Sequence, residues 1–307
     1  MTSLEPLSTR ISALSVYPQL QCPLFATLYP EIRNLVFRHA LTEYDDLTRP
    51  YNKHEFYYRP GFQFTGRIDT NLLLTCRLVY LETHLVPMAL NEHVFWRPLG
   101  GGPPGHYLYS YNTYFSRMTP QQRAAVQHVH FFLQMSWPGR WKAREWIEGL
   151  PVPKLLITIR HSDWPNWETN APLDVQTLEG LRRWVTTVPH LQELKLELET
   201  IDAKREQLEE LVQVVLGWKF PMTSEHALVH DGTTPTHTTW LGSSRMSPDR
   251  ALPLVRPDRE TRLLMQRWRE DPVTMDEAFP LDLELIVRKV KFVLKLTGSS
   301  YSASCQK

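Results

Sequence analysis

A helix-type pattern of apolar residues begins near residue 30 of the chain. Pro30 suits the first turn of a helix, where its missing N–H costs nothing, and Glu31 suits the positive end of the helix dipole. Ile32, Leu35 and Val36 then follow the i, i+3, i+4 spacing of one helix face. The pattern therefore predicts an amphipathic helix over about residues 30–41.

A second helix is predicted from Thr70 or Asn71 to about Leu85, with a bend or restart at Pro87. Its apolar face consists of Leu72, Leu73, Cys76, Val79 and Tyr80. Between the two helices, residues 44–66 are polar and aromatic, which predicts a loop with one short strand at 55–58.

The two predicted helices can form a hairpin by packing their apolar faces together. The residues expected at this contact are Leu28, Ile32, Leu35 and Val36 from the first helix and Leu73, Cys76, Val79 and Tyr80 from the second. Arg33, Arg77 and Glu82 would lie at its rim and could form ion pairs. A core of this kind needs no further function, and docking of a partner on its exposed edge is the alternative.

The rest of the chain alternates between strand-type and helix-type patterns. Strands are predicted at 127–134, 155–160 and 191–199, the last with strict alternation of apolar and charged residues, and a hairpin is predicted within 218–239. Helices are predicted at 141–150, 173–188, 203–216, 259–269 and 282–296, and an irregular loop at 233–257. Strands separated by helices favour βαβ units with a largely parallel sheet.

These patterns predict an α+β protein in which a helical module precedes an α/β region with a mostly parallel sheet. The predicted divisions are a flexible leader at 1–23, the helical module at 24–97, a linker at 98–105 and the α/β region at 106–300. Four glycines and three prolines between 98 and 105 indicate the linker.

Composition excludes several classes of protein. The 307 residues are 42% hydrophobic, and 34 Lys and Arg against 33 Asp and Glu leave a net charge of +1, which provides no global field to attract nucleic acid. Three cysteines are too few for a disulfide framework and suit a reducing compartment. Because no secretory signal or membrane-spanning segment is recognisable, a cytoplasmic or nuclear location without membrane contact is expected.

No motif spells out a known reaction, and no catalytic residue or cofactor is predicted. His226, His230 and His237 come nearest to a metal site, but Ala227 stands where a zinc protease needs glutamate, so ordinary histidines are the favoured interpretation. Tryptophans close to arginines are common in binding sites and equally in cores. Four of them could line a groove for a partner, namely Trp137, Trp141, Trp164 and Trp167.

Residues 28–96 contain two blocks that resemble the N-terminal module of fungal F-box-like proteins. The first block, close to Leu-Pro-x-Glu-Ile-Arg in that family, is Leu28-Tyr29-Pro30-Glu31-Ile32-Arg33. The second, close to Leu-Leu-x-Thr-Cys-Arg-x-Ile-Tyr-x-Glu, is Leu73-Leu74-Thr75-Cys76-Arg77-Leu78-Val79-Tyr80-Leu81-Glu82, followed by Asn91-Glu92-His93-Val94-Phe95. The two blocks in this order are fairly specific and cover about 70 residues.

The resemblance implies that this helical module docks onto a Skp adaptor of a cullin ubiquitin ligase while the rest of the chain selects a target. The residues expected to dock are Leu28, Pro30, Glu31, Ile32, Leu35, Val36, Cys76 and Tyr80. A non-enzymatic interaction protein is thus the leading hypothesis. A structural or regulatory module without ligase contact is the first alternative, and a metal-binding protein is the second.

Overall fold

The computed structural model describes residues 7–12, 14–53, 55, 57–96, 102–103, 111–135, 152–167, 171–242 and 283–296. Helices and a mixed sheet are both present, so the predicted α+β class is confirmed. The described α-helices are α1 (Leu7–Ser12), α2 (Pro23–Ala26), α3 (Pro30–Ala40), α4 (Arg77–Thr83), α5 (Val86–Leu90), α6 (Tyr111–Ser116), α7 (Pro120–Ala125), α8 (Glu179–Val185) and α9 (Arg205–Leu216). Within these residues, no helix has the length and apolar character needed to cross a membrane.

Ten strands form two sheets within the described residues. The strands are β1 (Tyr44–Pro50), β2 (Phe64–Arg67), β3 (Glu92–Trp96), β4 (His128–Phe132), β5 (Lys154–Ile159), β6 (Glu193–Ile201), β7 (Lys219–Pro221), β8 (His226–His230), β9 (Thr236–Gly242) and β10 (Leu283–Leu296). β1 and β2 pair as a hairpin, and the other eight form one sheet in the order β3-β4-β5-β6-β10-β8-β7, with β9 also paired to β10.

The large sheet is parallel in one half and antiparallel in the other. β3, β4, β5 and β6 pair in parallel, as the βαβ pattern predicts. β10 pairs antiparallel with β6, β8 and β9, and β7 pairs antiparallel with β8. The expectation of a mostly parallel sheet therefore holds only for the first half.

One face of the large sheet carries the main hydrophobic core. Apolar residues at alternate positions of β6 point to this face and are buried with those of the neighbouring strands and of α8 and α9. The β6 residues are Leu194, Leu196 and Leu198. The predicted alternation of this strand and the helices predicted over 173–188 and 203–216 are confirmed, the former helix starting with a 3-10 turn at Val175–Leu178.

The segment predicted as a C-terminal amphipathic helix is instead the long strand β10, at the centre of the large sheet. Its apolar residues satisfy both the helical and the strand period, and its β-branched residues Ile286, Val287, Val290 and Val293 favour the strand. Pairing with β6 on one side and with β8 and β9 on the other decides between them.

Two other predictions are wrong in their local structure. Residues 236–242 lie in the predicted irregular loop but form β9 against β10. Residues 44–67 contain the β1–β2 hairpin, and of the strand predicted at 55–58 the described residues 55, 57 and 58 are not in a strand. The helices predicted at 141–150 and 259–269 lie outside the described residues.

The N-terminal module and the α/β region share the large sheet. β3 lies within the predicted helical module, yet it pairs with β4 of the following region. Gly102 and Pro103, from the predicted linker, are buried, and Gly102 lies against Trp96 so closely that a Cβ atom there would overlap the indole side chain. In the predicted leader, α1 forms a helix in contact with α4.

Candidate docking surface and the polar face of the sheet

Helix α3 exposes the apolar residues that were expected to pack inside the hairpin. Ile32 is 45% exposed, Leu35 63% and Val36 46%, so the predicted packing of these side chains on the second helix is wrong. Helix α3 is instead anchored by Phe37, and Leu41 follows it one turn later, both being fully buried. Phe37 and Leu41 take the inward face, which turns Ile32, Leu35 and Val36 to solvent.

The rest of the first block surrounds the start of α3. Pro30 occupies the first turn as predicted, and Glu31 lies beside it in solvent. Leu28 is half-buried, while Tyr29 is exposed. Because positions 29, 32 and 36 are spaced by three and four residues, Tyr29, Ile32 and Val36 lie on one face of the helix.

The second block forms a 3-10 turn at Thr70–Leu74 followed by α4, rather than one continuous helix. Cys76 is the residue before α4, and its Sγ accepts a hydrogen bond from the Val79 N–H at 3.5 Å. Val79 is buried, and Tyr80 is half-buried with its ring stacked on His84. Burial raises the pKa of the Tyr80 phenol.

An ion pair joins α3 to α4. Arg33 Nη2 lies 3.2 Å from Glu82 Oε1, which confirms that these two residues pair. Arg33 Nη1 also donates to the Leu28 carbonyl at 2.9 Å, and its guanidinium lies over the Phe25 ring. Arg77 donates to the Ser15 carbonyl instead. The two blocks are thus neighbours, joined by the Arg33–Glu82 ion pair.

The predicted groove of four tryptophans is not formed by the two that the structure describes. Trp164 and Trp167 are buried in the main core. The Trp164 indole N–H donates to the Glu199 carbonyl at 2.8 Å, and Trp167 packs against the His161 ring. Trp137 and Trp141 lie outside the described residues.

The three histidines considered as metal ligands do not converge. His226 and His230 lie at the two ends of the short strand β8, so the helical spacing that would bring them together is absent from this described segment, and His237 is exposed on β9. His230 Nε2 contacts the Thr233 carbonyl at 3.0 Å. Among the described residues, no three potential metal-ligating side chains form a group.

The polar face of the large sheet, opposite the main core, is not predicted by the sequence patterns. The loop between β1 and β2 lies over this face. Tyr57 joins Trp96 and Phe132 in a small buried cluster, and Phe62 packs edge-on to both of those rings. The alternation of polar residues in β3–β6 could have indicated a second face, but not that the 51–63 loop covers it.

Beneath this loop, three residues from adjacent parallel strands form a relay of hydrogen bonds. His130 Nδ1 lies 3.0 Å from Glu92 Oε2, and His130 Nε2 lies 2.8 Å from Thr158 Oγ1. Burial alone would raise the pKa of Glu92, but the hydrogen bond and charge of His130 lower it overall. A carboxylate, imidazole and hydroxyl in this order occur in hydrolases. In this structure the Thr158 hydroxyl is fully buried, and Phe62 packs against the His130 ring.

A second polar cluster centres on Arg59 of the same loop. Its Nη2 pairs with Glu197 Oε1, and its Nη1 lies 3.3 Å from Glu199 Oε2. All three side chains are buried, and burial raises the pKa of Glu199 despite the adjacent arginine. Close by, Arg160 forms a two-point ion pair with Asp163, through Nε to Oδ2 at 2.7 Å and Nη2 to Oδ1 at 2.9 Å.

Comparison of the chain with family models, with curated proteins and with solved structures gave no match. The resemblance to F-box-like proteins therefore depends on the residues of the two N-terminal blocks alone.

Proposed function

We propose that this chain is a non-enzymatic protein-interaction protein of the cytoplasm or nucleus. Its N-terminal helices would dock a Skp-type adaptor of a cullin ubiquitin ligase, as the resemblance of the two blocks implies, and its sheet region would recognise a target. The observation that supports this proposal best is the exposure of Ile32, Leu35 and Val36 on α3.

Exposed apolar residues clustered on one helix face are typical of interaction surfaces. Burial of one such side chain in a complex contributes about 1.5–3 kcal/mol, which the isolated chain does not gain. Phe37 and Leu41 already fix the inner side of α3, so the outer side is available without rearrangement of the helix. The Arg33–Glu82 pair holds the second block beside it.

The test is co-purification of the full chain with a Skp adaptor. Because Leu35 is 63% exposed, Leu35→Asp is expected to leave the fold intact, which circular dichroism can verify. The matched control is Leu241→Asp, since Leu241 is 72% exposed on β9, remote in sequence from the blocks. We expect the wild type and Leu241→Asp to retain the adaptor and Leu35→Asp to lose at least about tenfold in retention, the equivalent of 1.4 kcal/mol.

Equal retention by all three proteins, or no retention by the wild type, would refute the adaptor function. If the wild type instead retains a discrete different protein in a Leu35-dependent way, the alternative of a regulatory module without ligase contact is supported.

A further inference from the structure

The guanidinium of Arg59 is enclosed by four side chains of the large sheet. We name these residues, Phe132, Glu197, Glu199 and Trp240, the guanidinium cage. The two carboxylates lie at the guanidinium nitrogens, while its central carbon lies 5.3 Å from the Phe132 ring centroid and 5.9 Å from that of Trp240. Two acids and two aromatic walls around one cation match the chemistry of arginine recognition.

Each acid of the cage has at least one partner besides Arg59. Glu199 accepts hydrogen bonds from the His161 backbone N–H at 3.2 Å and from the Trp240 indole N–H at 3.3 Å. The outer oxygen of Glu197 lies 2.7 Å from Lys289 Nζ. Because these partners come from the sheet and the turn that follows β5, the cage is expected to keep its shape when the guanidinium leaves.

The occupant comes from a different part of the chain than the cage. Arg59 is 138 residues from Glu197 in sequence and lies on the loop between β1 and β2, two strands whose own residues are mostly exposed. Its fit is also incomplete. The Arg59 Nη1 atom is buried and lies 3.3 Å from Glu199 Oε2. It nevertheless makes no hydrogen bond of acceptable geometry within the described part of the chain. A guanidinium not tethered to this loop could approach Glu199 with the geometry of a hydrogen bond while keeping the contact with Glu197.

We propose that the guanidinium cage is a binding site for an arginine side chain of a protein partner, and that Arg59 occupies it in the isolated chain. This inference builds on the proposed function, because it assigns the target-recognition half of the molecule a chemical preference. An arginine is favoured over a lysine because its planar fork can reach two carboxylates at once, whereas an ammonium is a point charge.

The experiment measures thermal unfolding of the full-length Arg59→Ala variant with added N-acetylarginine amide at concentrations up to about 10 mM, the range of a tethered side chain. The matched probe is N-acetylcitrulline amide, which keeps the shape of arginine but lacks its charge. We expect a saturable rise in melting temperature with the arginine compound and none with the citrulline compound. In the wild type, the half-saturating concentration should be at least about tenfold higher, because Arg59 competes for the cage.

A triple variant, Arg59→Ala with Glu197→Gln and Glu199→Gln, should lose the response to the arginine compound. If the Arg59→Ala variant does not fold, the Arg59→Lys variant, which keeps the charge, takes its place in the same titration. Equal responses to both compounds, an equal response of wild type and variant, or a response that survives in the triple variant would overturn the proposal. None of these results depends on adaptor binding by α3, so failure of the docking hypothesis and failure of the cage are distinguishable.

Discussion

Helix α3 and strand β6 reverse the usual relation between residue type and burial. In α3 the apolar side chains of Ile32, Leu35 and Val36 lie in solvent, whereas in β6 the charged side chains of Glu197 and Glu199 are buried. The difference lies in what covers each element. The 51–63 loop covers the polar face of β6 and supplies Arg59 as a counter-ion, while no described segment covers the outer face of α3. Burial is thus set by tertiary coverage, and the apolar face of α3 that the described residues leave open is the surface that we propose for a partner.

Matched leucine truncations give the largest test of this contrast. Leu196 on β6 is 1% exposed, so Leu196→Ala should destabilise the protein by about 2–5 kcal/mol through lost contacts and a cavity. Leu35→Ala should change the stability by less than about 0.5 kcal/mol. Denaturant unfolding measures both values. A loss of stability of similar size in the two variants would show that α3 packs its outer face after all.

The second prediction concerns the pH dependence of stability that the buried side chain of His161, next to β6, should cause. Burial, with a smaller contribution from the positive charge of Lys204, lowers the pKa of His161 to about 4 from 6.5. Between pH 6.5 and about 4, His161 therefore binds a proton in the unfolded chain but not in the folded chain. The free energy of unfolding falls as the pH drops through this range. The loss is at most roughly 3 kcal/mol.

The measurement is denaturant unfolding of wild type and His161→Gln at several pH values from 7 to about 4.5. The variant keeps the backbone N–H that donates to Glu199, so the raised pKa of Glu199 acts in both proteins. The wild type should lose stability relative to the variant as the pH falls. Parallel curves would contradict the burial of His161.

A third prediction tests how firmly the glycine-rich stretch is packed. A Cβ atom at Gly102 would lie 2.2 Å from the Trp96 Cβ, closer than real contacts allow. We expect Gly102→Ala to destabilise the protein by about 1–3 kcal/mol through overpacking. A free linker at this position would tolerate the change, and unfolding curves of wild type and variant decide between the two.

The smallest expected effect is at the contact between the two N-terminal blocks. A double-mutant cycle with Arg33→Ala and Glu82→Ala should give a coupling energy of up to about 1 kcal/mol, because the pair is partly exposed. High salt should weaken it. A coupling energy near zero would mean that the ion pair does not hold α3 beside α4 in solution.

The elements predicted correctly from the sequence are those whose residue pattern fits only one type of secondary structure. The alternation in β6 and the proline at the start of α3 are such cases, and both elements are found where expected. The apolar residues of β10 match the helical and strand periods alike, and only its pairing with three neighbouring strands determines the outcome. Strand β9, rich in threonine and next to glycine and proline, had the composition of a loop.

The candidate sites were less predictable because they depend on contacts distant in sequence. Periodicity identified Ile32, Leu35 and Val36 as one face, but it could not show that Phe37 and Leu41 would take the interior. The charges of β6 had the pattern of a solvated face. Their burial depends on Arg59, which lies in a segment with no regular pattern.

The most direct test of the account is hydrogen exchange of the full chain with and without a purified Skp adaptor. Docking on the outer face of α3 predicts slower amide exchange in residues 30–40 when the adaptor is bound, with no change in the control strands β8 and β9. A complex that leaves exchange in residues 30–40 unaltered, or that protects only the sheet, would contradict the assignment of α3 as the docking surface.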